Sequence, residues 1–344
     1  MKGTAGTFLE NATFIVGYPK SGTTLLLSLL DGHSDLMVLP KELFFFNRVM
    51  GSQDPCAAVL DKTFFKTLHH SSPNLFDAFS KELRAVLAPS LGYKDRLLSV
   101  VRAYHDTVKQ HAPVQRWVEK TPLNEYFVHL MRAWFGPHLV VIHMVRDPRD
   151  NFAAYRAHRA TKKRRISIHD FALRWALSVE LGERAAREFS GYHMLRYRDL
   201  VSDPRGTLAM VASWLTVPLR ESMLQPTFVG NKWEGNSTAG NSFSSISDEP
   251  LGRHKNILSE KELSYLESVL APYCERYGYV VSDPSARQWG ESALFRAKLA
   301  KLIHWHYRNN WTTGMKIPAW LPGVYTVTEQ NADKRYRVRE LPDW

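Results

Sequence analysis

The chain has 344 residues, 45 Lys and Arg against 34 Asp and Glu, a net charge of +11, and 44% hydrophobic residues, which excludes a disordered chain, a collagen-like fibre and a small disulfide scaffold. Its two cysteines, Cys56 and Cys274, stand far apart without a CxxC or Cys/His cluster, so a reducing, cytoplasmic setting is expected, with neither a disulfide framework nor a structural zinc site. No apolar run reaches the roughly 18 residues of a membrane span and no secretory leader is expected; the excess of cations suits an anionic ligand, whether nucleotide, acidic glycan, nucleic acid or lipid.

Residues 13–17 (TFIVG) form a short apolar, β-branched run ending in glycine, and residues 23–30 follow with helical composition, giving strand, loop, helix. Residues 115–118 and 139–145 (LVVIHMV) predict further strands, the second apolar enough to be covered on both faces. Ala172, Trp175, Ala176 and Val179 recur on one helical face within 171–187, and 207–215 and 260–277 carry similar patterns. Strands alternating with such helices predict an α/β fold with a central, mostly parallel sheet flanked by helices. Residues 225–256, dense in Gly, Asn, Ser and Pro, read as one long ordered loop. The tryptophans then crowd toward the end of the chain, which suggests a catalytic domain over 1–284 and an aromatic-rich extension over 285–344.

The segment 17–24 (GYPKSGTT) joins the first strand to the first helix, the context of a phosphate-cradling loop. Its glycine spacing matches a Walker A loop, but Thr23 stands where the lysine is expected and Lys20 lies earlier. Moving the cation away from the place where a nucleoside triphosphatase needs it predicts a different anion geometry that dispenses with a metal.

Here the chain resembles the sulfotransferases that use 3′-phosphoadenylyl sulfate (PAPS). The likeness rests on YPKSGTT at 18–24, LPKELFFF at 39–46, WVEKTP at 117–122, VRDPRD at 145–150 and LRYRDLVSDP at 195–204. The resemblance implies a P-loop nucleotide-binding fold and transfer of a sulfuryl group to a hydroxyl, with PAPS as co-substrate and no metal. By the same likeness Lys20, Ser21, Gly22, Thr23 and Thr24 hold the 5′-phosphate, and Lys20 and Lys120 stabilise charge during transfer. Glu42 matches the acceptor-side carboxylate that serves as general base, and Arg146 the arginine for the 3′-phosphate. Tyr197, Ser245, Arg253 and Lys255 are further cofactor contacts, while Ala154 replaces the serine usual eight residues after Arg146. His33 and His143 are weaker base candidates, expected in a loop and in a buried strand. The ordinary reading of Glu119 and Lys120 is a surface ion pair.

The acceptor is expected to be a small molecule, natural product or carbohydrate, with Trp233 as the residue to stack on it. The cation run at 156–165 reads as an exposed helix end. The extension is expected to pack on the catalytic domain, its mix of basic and aromatic residues also suiting peripheral contact with a membrane. Two rival readings are a nucleotide kinase with a degenerate loop and a basic nucleic-acid- or glycan-binding protein; nucleic acid is not expected as the partner.

Overall fold

In the computed structural model, which describes residues 8–60, 72–109, 112–233, 246–281 and 289–310, five short strands pair into one parallel sheet. They are β1 (Ala12–Val16), β2 (Leu36–Val38), β3 (Arg116–Lys120), β4 (Val140–Val145) and β5 (Tyr192–Arg196), in the order β2-β3-β1-β4-β5. Strand β1 is central, with Ala12 opposite Trp117 on one side and Thr13 opposite Val140 on the other. Every residue of β1, β3 and β4 is buried, as expected of parallel strands covered on both faces.

Successive side chains along a strand point to opposite faces, and the two cores divide accordingly. Phe14, Trp117 and Val141 enter one cluster. Ile15, Val118 and Ile142 enter the other, where Leu26, Leu29 and Leu30 of helix α1 (Thr23–Leu30) meet them. Helices α2 (Pro55–Leu60), α3 (Pro73–Val86) and α4 (Tyr93–Thr107) fill the connection between β2 and β3, and α5 (Val128–Phe135) leads into β4. Beyond β4 come α6 (Pro148–Thr161) and the long α7 (Ile168–Glu188), then, beyond β5, α8 (Tyr197–Ser202) and α9 (Pro204–Leu215). Helix α6 starts on Pro148 with Asp147 as its cap, and α7 on Ser167, whose hydroxyl accepts from the His169 and Asp170 amides.

The predicted strands at 13–17, 115–118 and 139–145 thus form within a residue or two of their expected limits, and helix α1 has the expected limits. Residues 225–256 are not one loop: they carry a hairpin of β6 (Thr227–Phe228) and β7 (Asn231–Lys232) and a short helix α10 (His254–Ile257). Helix α11 (Glu260–Arg276) opens with a capping box between Ser259 and Glu262. The start of the aromatic-rich stretch is helix α12 (Trp289–Asn310), which packs on α7 and α11 with Phe295, Leu299 and Leu302 buried. Trp305 is half-buried against the same core. Trp311, Trp320 and Trp344 lie outside the described residues. Among the described residues no helix is long and apolar enough to cross a membrane.

One tight packing point gives a direct test of this arrangement. A Cβ on Gly182 of α7 would collide with the imidazole of His143 on β4, so Gly182→Ala is expected to cost roughly 1–3 kcal/mol through overpacking. Denaturant unfolding measures it, and an unchanged midpoint would mean that α7 lies farther from the sheet.

Candidate active site

The carboxyl ends of β1, β3 and β4 meet at the middle of the sheet, where open α/β sheets bind ligands. Strand β1 runs into a loop that turns at three left-handed backbone positions, Gly17 (φ 130°), Lys20 (φ 71°) and Gly22 (φ 103°). Gly22 caps α1, and no side chain satisfies the amides of the first turn. Those amides and the positive end of the helix dipole form an anion cradle. Among the described residues Ser21 Oγ is buried there with no hydrogen-bond partner, a hydroxyl that an anion in the cradle would satisfy.

Tyr197 presses its ring onto Gly22, so closely that a Cβ there would overlap the ring. The residue opens helix α8 directly after β5, one step past the strand in which the sequence suggested it. Gly22→Ala therefore combines a steric clash with an unfavourable φ and is expected to cost about 1–3 kcal/mol. Thermal unfolding and phosphate-ligand binding check this; unaltered binding would disprove the rigid cradle.

Arg146 follows β4 and is 8% exposed. Its Nη1 donates to the Lys20 carbonyl (3.2 Å) and its Nη2 to the Pro250 carbonyl (3.1 Å), while the guanidinium lies 4.6 Å from the Tyr197 ring centre. Among the described residues Arg146 Nε has no hydrogen-bond partner. The segment it touches is fastened to α6 by Asp150, which accepts from the Gly252 amide (2.8 Å), the His254 amide (2.9 Å) and His254 Nδ1 (2.8 Å). Burial pushes the Asp150 carboxyl up, but these bonds and the nearby Arg146 charge hold it below the usual carboxylate value. Arg253 stands beside this site in an ion pair with Glu249, and Lys255 is exposed. Ser245 lies outside the described residues. Asp147, Asp150 and His254 bring ligand atoms within 4.8 Å of one another, but Asp147 is paired with Arg149 and Asp150 with His254.

Glu42 and Lys120 form the other half. Lys120, at the end of β3, is 1% exposed and bonds both Glu42 Oε1 and Thr24 Oγ1 (3.0 Å). The alternative reading, a surface pair with Glu119, is therefore not met. Neighbours on a strand point to opposite faces, and the Glu119 carboxylate instead accepts from the Leu43 amide (3.2 Å), Thr121 Oγ1 and Asn124 Nδ2 (3.1 Å). Burial pushes the Glu42 carboxyl up, but the charge and hydrogen bond of Lys120, with Lys41 behind, hold it below its ordinary value. The Lys20 ammonium is pushed down by burial and by the Lys120 and Arg146 charges, against the pull of Glu42. The Glu42, Lys120 and Arg146 charges thus all bear on Lys20, and the Lys120 and Lys41 charges on Glu42.

Beside Thr24 lies a small cleft lined by Leu27, Asp31, Val38, Pro40, Phe228 and Trp233. Asp31 Oδ2 accepts from Thr227 Oγ1 (2.9 Å) and the Gly230 amide (2.8 Å), tying the β6–β7 hairpin that precedes Trp233 to the end of α1. His33 and His143 have both ring nitrogens engaged, His33 by the Pro218 carbonyl and the Asp35 amide, His143 by Tyr192 and Ser178. Burial pushes His143 down to about 3.

Sequence reasoning missed His158. It lies half-buried on α6, pushed down to about 4 by burial and by the Lys20, Lys162 and Arg159 charges, and is drawn the other way by Glu42. Its spacing from Asn151 and Ala154, which puts all three on one helical face, is the signal that was available. Of the six cations of the run, Lys162, Lys163 and Arg165 are exposed as expected, whereas Arg156, Arg159 and Arg164 are half-buried and Arg156 pairs with Glu262 on α11.

A parallel sheet whose central strand delivers an uncapped helix to an anion cradle defines an α/β nucleotide-binding protein of the P-loop kind. The chain belongs to the sulfotransferase family, whose profile matches residues 12–221. The sulfotransferase domain from the curacin biosynthetic pathway shares the fold, with a TM-score of 0.51 and 21% identity over 78% of this chain and 98% of that one. The sulfotransferase domain of the Synechococcus PCC 7002 olefin synthase gives a TM-score of 0.47 at 19% identity, covering 78% of this chain and 95% of that one. Mouse sulfotransferase SULT7A1, solved in complex with PAP, gives 0.42 at 14% identity, covering 84% and 94%. No protein of curated function matches the chain.

Proposed function

We propose that this protein transfers a sulfuryl group from PAPS to a hydroxyl-bearing acceptor, a small molecule or a carbohydrate, releasing adenosine 3′,5′-bisphosphate (PAP). The observation that carries this reading is the meeting of Lys20, Lys120 and Glu42 beside two buried polar atoms without partners, Ser21 Oγ and Arg146 Nε. Those atoms fit a ligand with phosphate at two places, one over the loop and one beside Arg146.

When bound, PAPS supplies an activated sulfuryl group on a phosphate leaving group. The Ser21 hydroxyl and the amides of Gly22, Thr23 and Thr24 hold the 5′-phosphate, and Lys20 sets its ammonium against the charge that builds on the leaving oxygen. Arg146 takes the 3′-phosphate with its guanidinium fork, with Tyr197, Ser245, Arg253 and Lys255 around the nucleotide. Glu42, kept ionised by Lys120, takes the proton that the acceptor oxygen loses as it bonds to sulfur. Lys120, shared between Glu42 and Thr24, would add its charge to the transferring group, and Trp233 lines the acceptor cleft. No metal has a part in this scheme, and a cytoplasmic setting suits it; residues 285–344 serve as an extension of the catalytic domain.

Calorimetric titration with PAP tests the reading, with 5′-AMP and ATP plus Mg²⁺ as controls. Micromolar or tighter binding that survives EDTA and requires the 3′-phosphate is expected. Tighter binding of ATP with Mg²⁺ would replace the proposal with a kinase-like one.

A further inference from the structure

We infer that Glu119 and Glu125, two buried carboxylates on one rigid segment, are positioning residues with separate duties: Glu119 fixes the acceptor-side turn that carries Glu42, and Glu125 fixes the root of the phosphate loop. The inference rests on the sulfotransferase reading above for the meaning of the two sides.

The geometry is explicit on each side. Glu119 Oε1 accepts the Leu43 amide (3.2 Å), and Thr121 Oγ1, which donates to the same oxygen, accepts the Phe44 amide (3.1 Å). Phe44 itself sits at a left-handed φ of 52°, a strained conformation for a bulky residue that its surroundings must enforce. Lys120, between them, grips the Glu42 side chain. Three consecutive residues at the end of β3 thus hold three consecutive residues of the acceptor turn.

Six positions on, Glu125 Oε2 accepts the Gly17 amide (3.1 Å), and the Leu123 amide donates to the Gly17 carbonyl (3.1 Å). The first glycine of the phosphate loop is therefore clasped at both its polar groups by the same segment. Behind it, Glu125 Oε1 accepts from Ser178 Oγ, which meets His143 Nε2 (3.4 Å), while His143 Nδ1 meets the Tyr192 hydroxyl (2.7 Å). Glu119 is fully buried and Glu125 1% exposed, and burial pushes both carboxyls up to about 7. Burying two carboxyls is costly, and neither one reaches the reacting groups; what each does is orient a backbone amide next to them.

Shortening each side chain by one methylene keeps a carboxyl at the site but withdraws its oxygens from the amides, at the cost of a small void. Glu125→Asp is expected to weaken PAP binding about tenfold, with turnover at saturating cofactor within about threefold of wild type. Glu119→Asp is expected to leave PAP affinity within about twofold and to lower turnover about tenfold, read as PAP released from PAPS with the best of a panel of alcohols and phenols. Amide hydrogen exchange provides a readout without turnover: faster exchange at residues 43 and 44 in Glu119→Asp, and at 17–22 in Glu125→Asp. Glu119→Gln should recover turnover, because Asn124 Oδ1, which lacks a partner, can turn to accept from the new amide. Parallel losses of affinity, turnover and melting temperature in both variants would overturn the division of labour, as would unchanged exchange at these amides. Failure of the wild type to bind PAP would instead overturn the functional reading.

Discussion

Arg146→Ala is expected to weaken PAP binding roughly a hundredfold, about 3 kcal/mol, by removing a charge-assisted contact to a dianion. The comparison with 5′-AMP is what gives the measurement meaning. Arg146 also donates to the Lys20 carbonyl and so braces the phosphate loop, a role that serves both nucleotides. A loss confined to PAP identifies Arg146 as the 3′-phosphate ligand. Equal losses for both nucleotides would reduce it to a brace for the loop. Lys20→Ala should lower affinity for both, since its ammonium belongs to the 5′-phosphate side.

The second large effect concerns Glu42. Replacing it with Gln should leave PAP affinity nearly unchanged and lower turnover about 10²–10⁴-fold, the usual range for a general base. Full turnover in that variant would remove Glu42 from the proton transfer. The pH dependence carries an independent sign. Burial alone would raise the Glu42 carboxyl; the Lys120 charge and hydrogen bond bring it below the ordinary value. The wild-type rate is therefore complete above this depressed value and falls only as the pH drops through it. Lys120→Met leaves burial opposed only by a backbone hydrogen bond and by Lys41, so the acid limb of the profile should move to higher pH, along with a general loss of rate. An unmoved limb would show that some other group controls it. The same pairing makes the Glu42–Lys120 contribution to stability one that is present near neutrality and lost in acid, as for any carboxylate held below its unfolded value.

Much of the frame was legible because it is written in local patterns. β1 and α1 announce themselves through an apolar β-branched run and a helical stretch on either side of a glycine-punctuated loop. Lys20, Glu42, Lys120 and Arg146 could be named from short motifs, and the sheet brings them together since they lie at or just beyond the carboxyl ends of β1, β2, β3 and β4. What escaped was set by long-range geometry. β2 spans Leu36–Val38, too short for a period of two to show. Glu119 was given no role of its own, only half of an alternative surface pair, because nothing in the letters EKTP tells that β3 lies between two other strands. His158 was hidden in a cation run whose exposed members outnumber it. Tyr197 reads equally as core or contact, and only its pressure on Gly22 gives it a place in the loop's shape.

The central position of β1 has a consequence in time. Its two neighbours are supplied by much later chain, and the carboxylate that clasps Gly17 lies 108 residues downstream. Pairings of that span are slow to form, since the loop they close must be ordered before any contact repays it. As the chain emerges from the ribosome, the phosphate loop is made before either strand that flanks β1. It can take shape only once β4 has been synthesised, which leaves its apolar strand unpaired while the chain between Val16 and Val145 emerges.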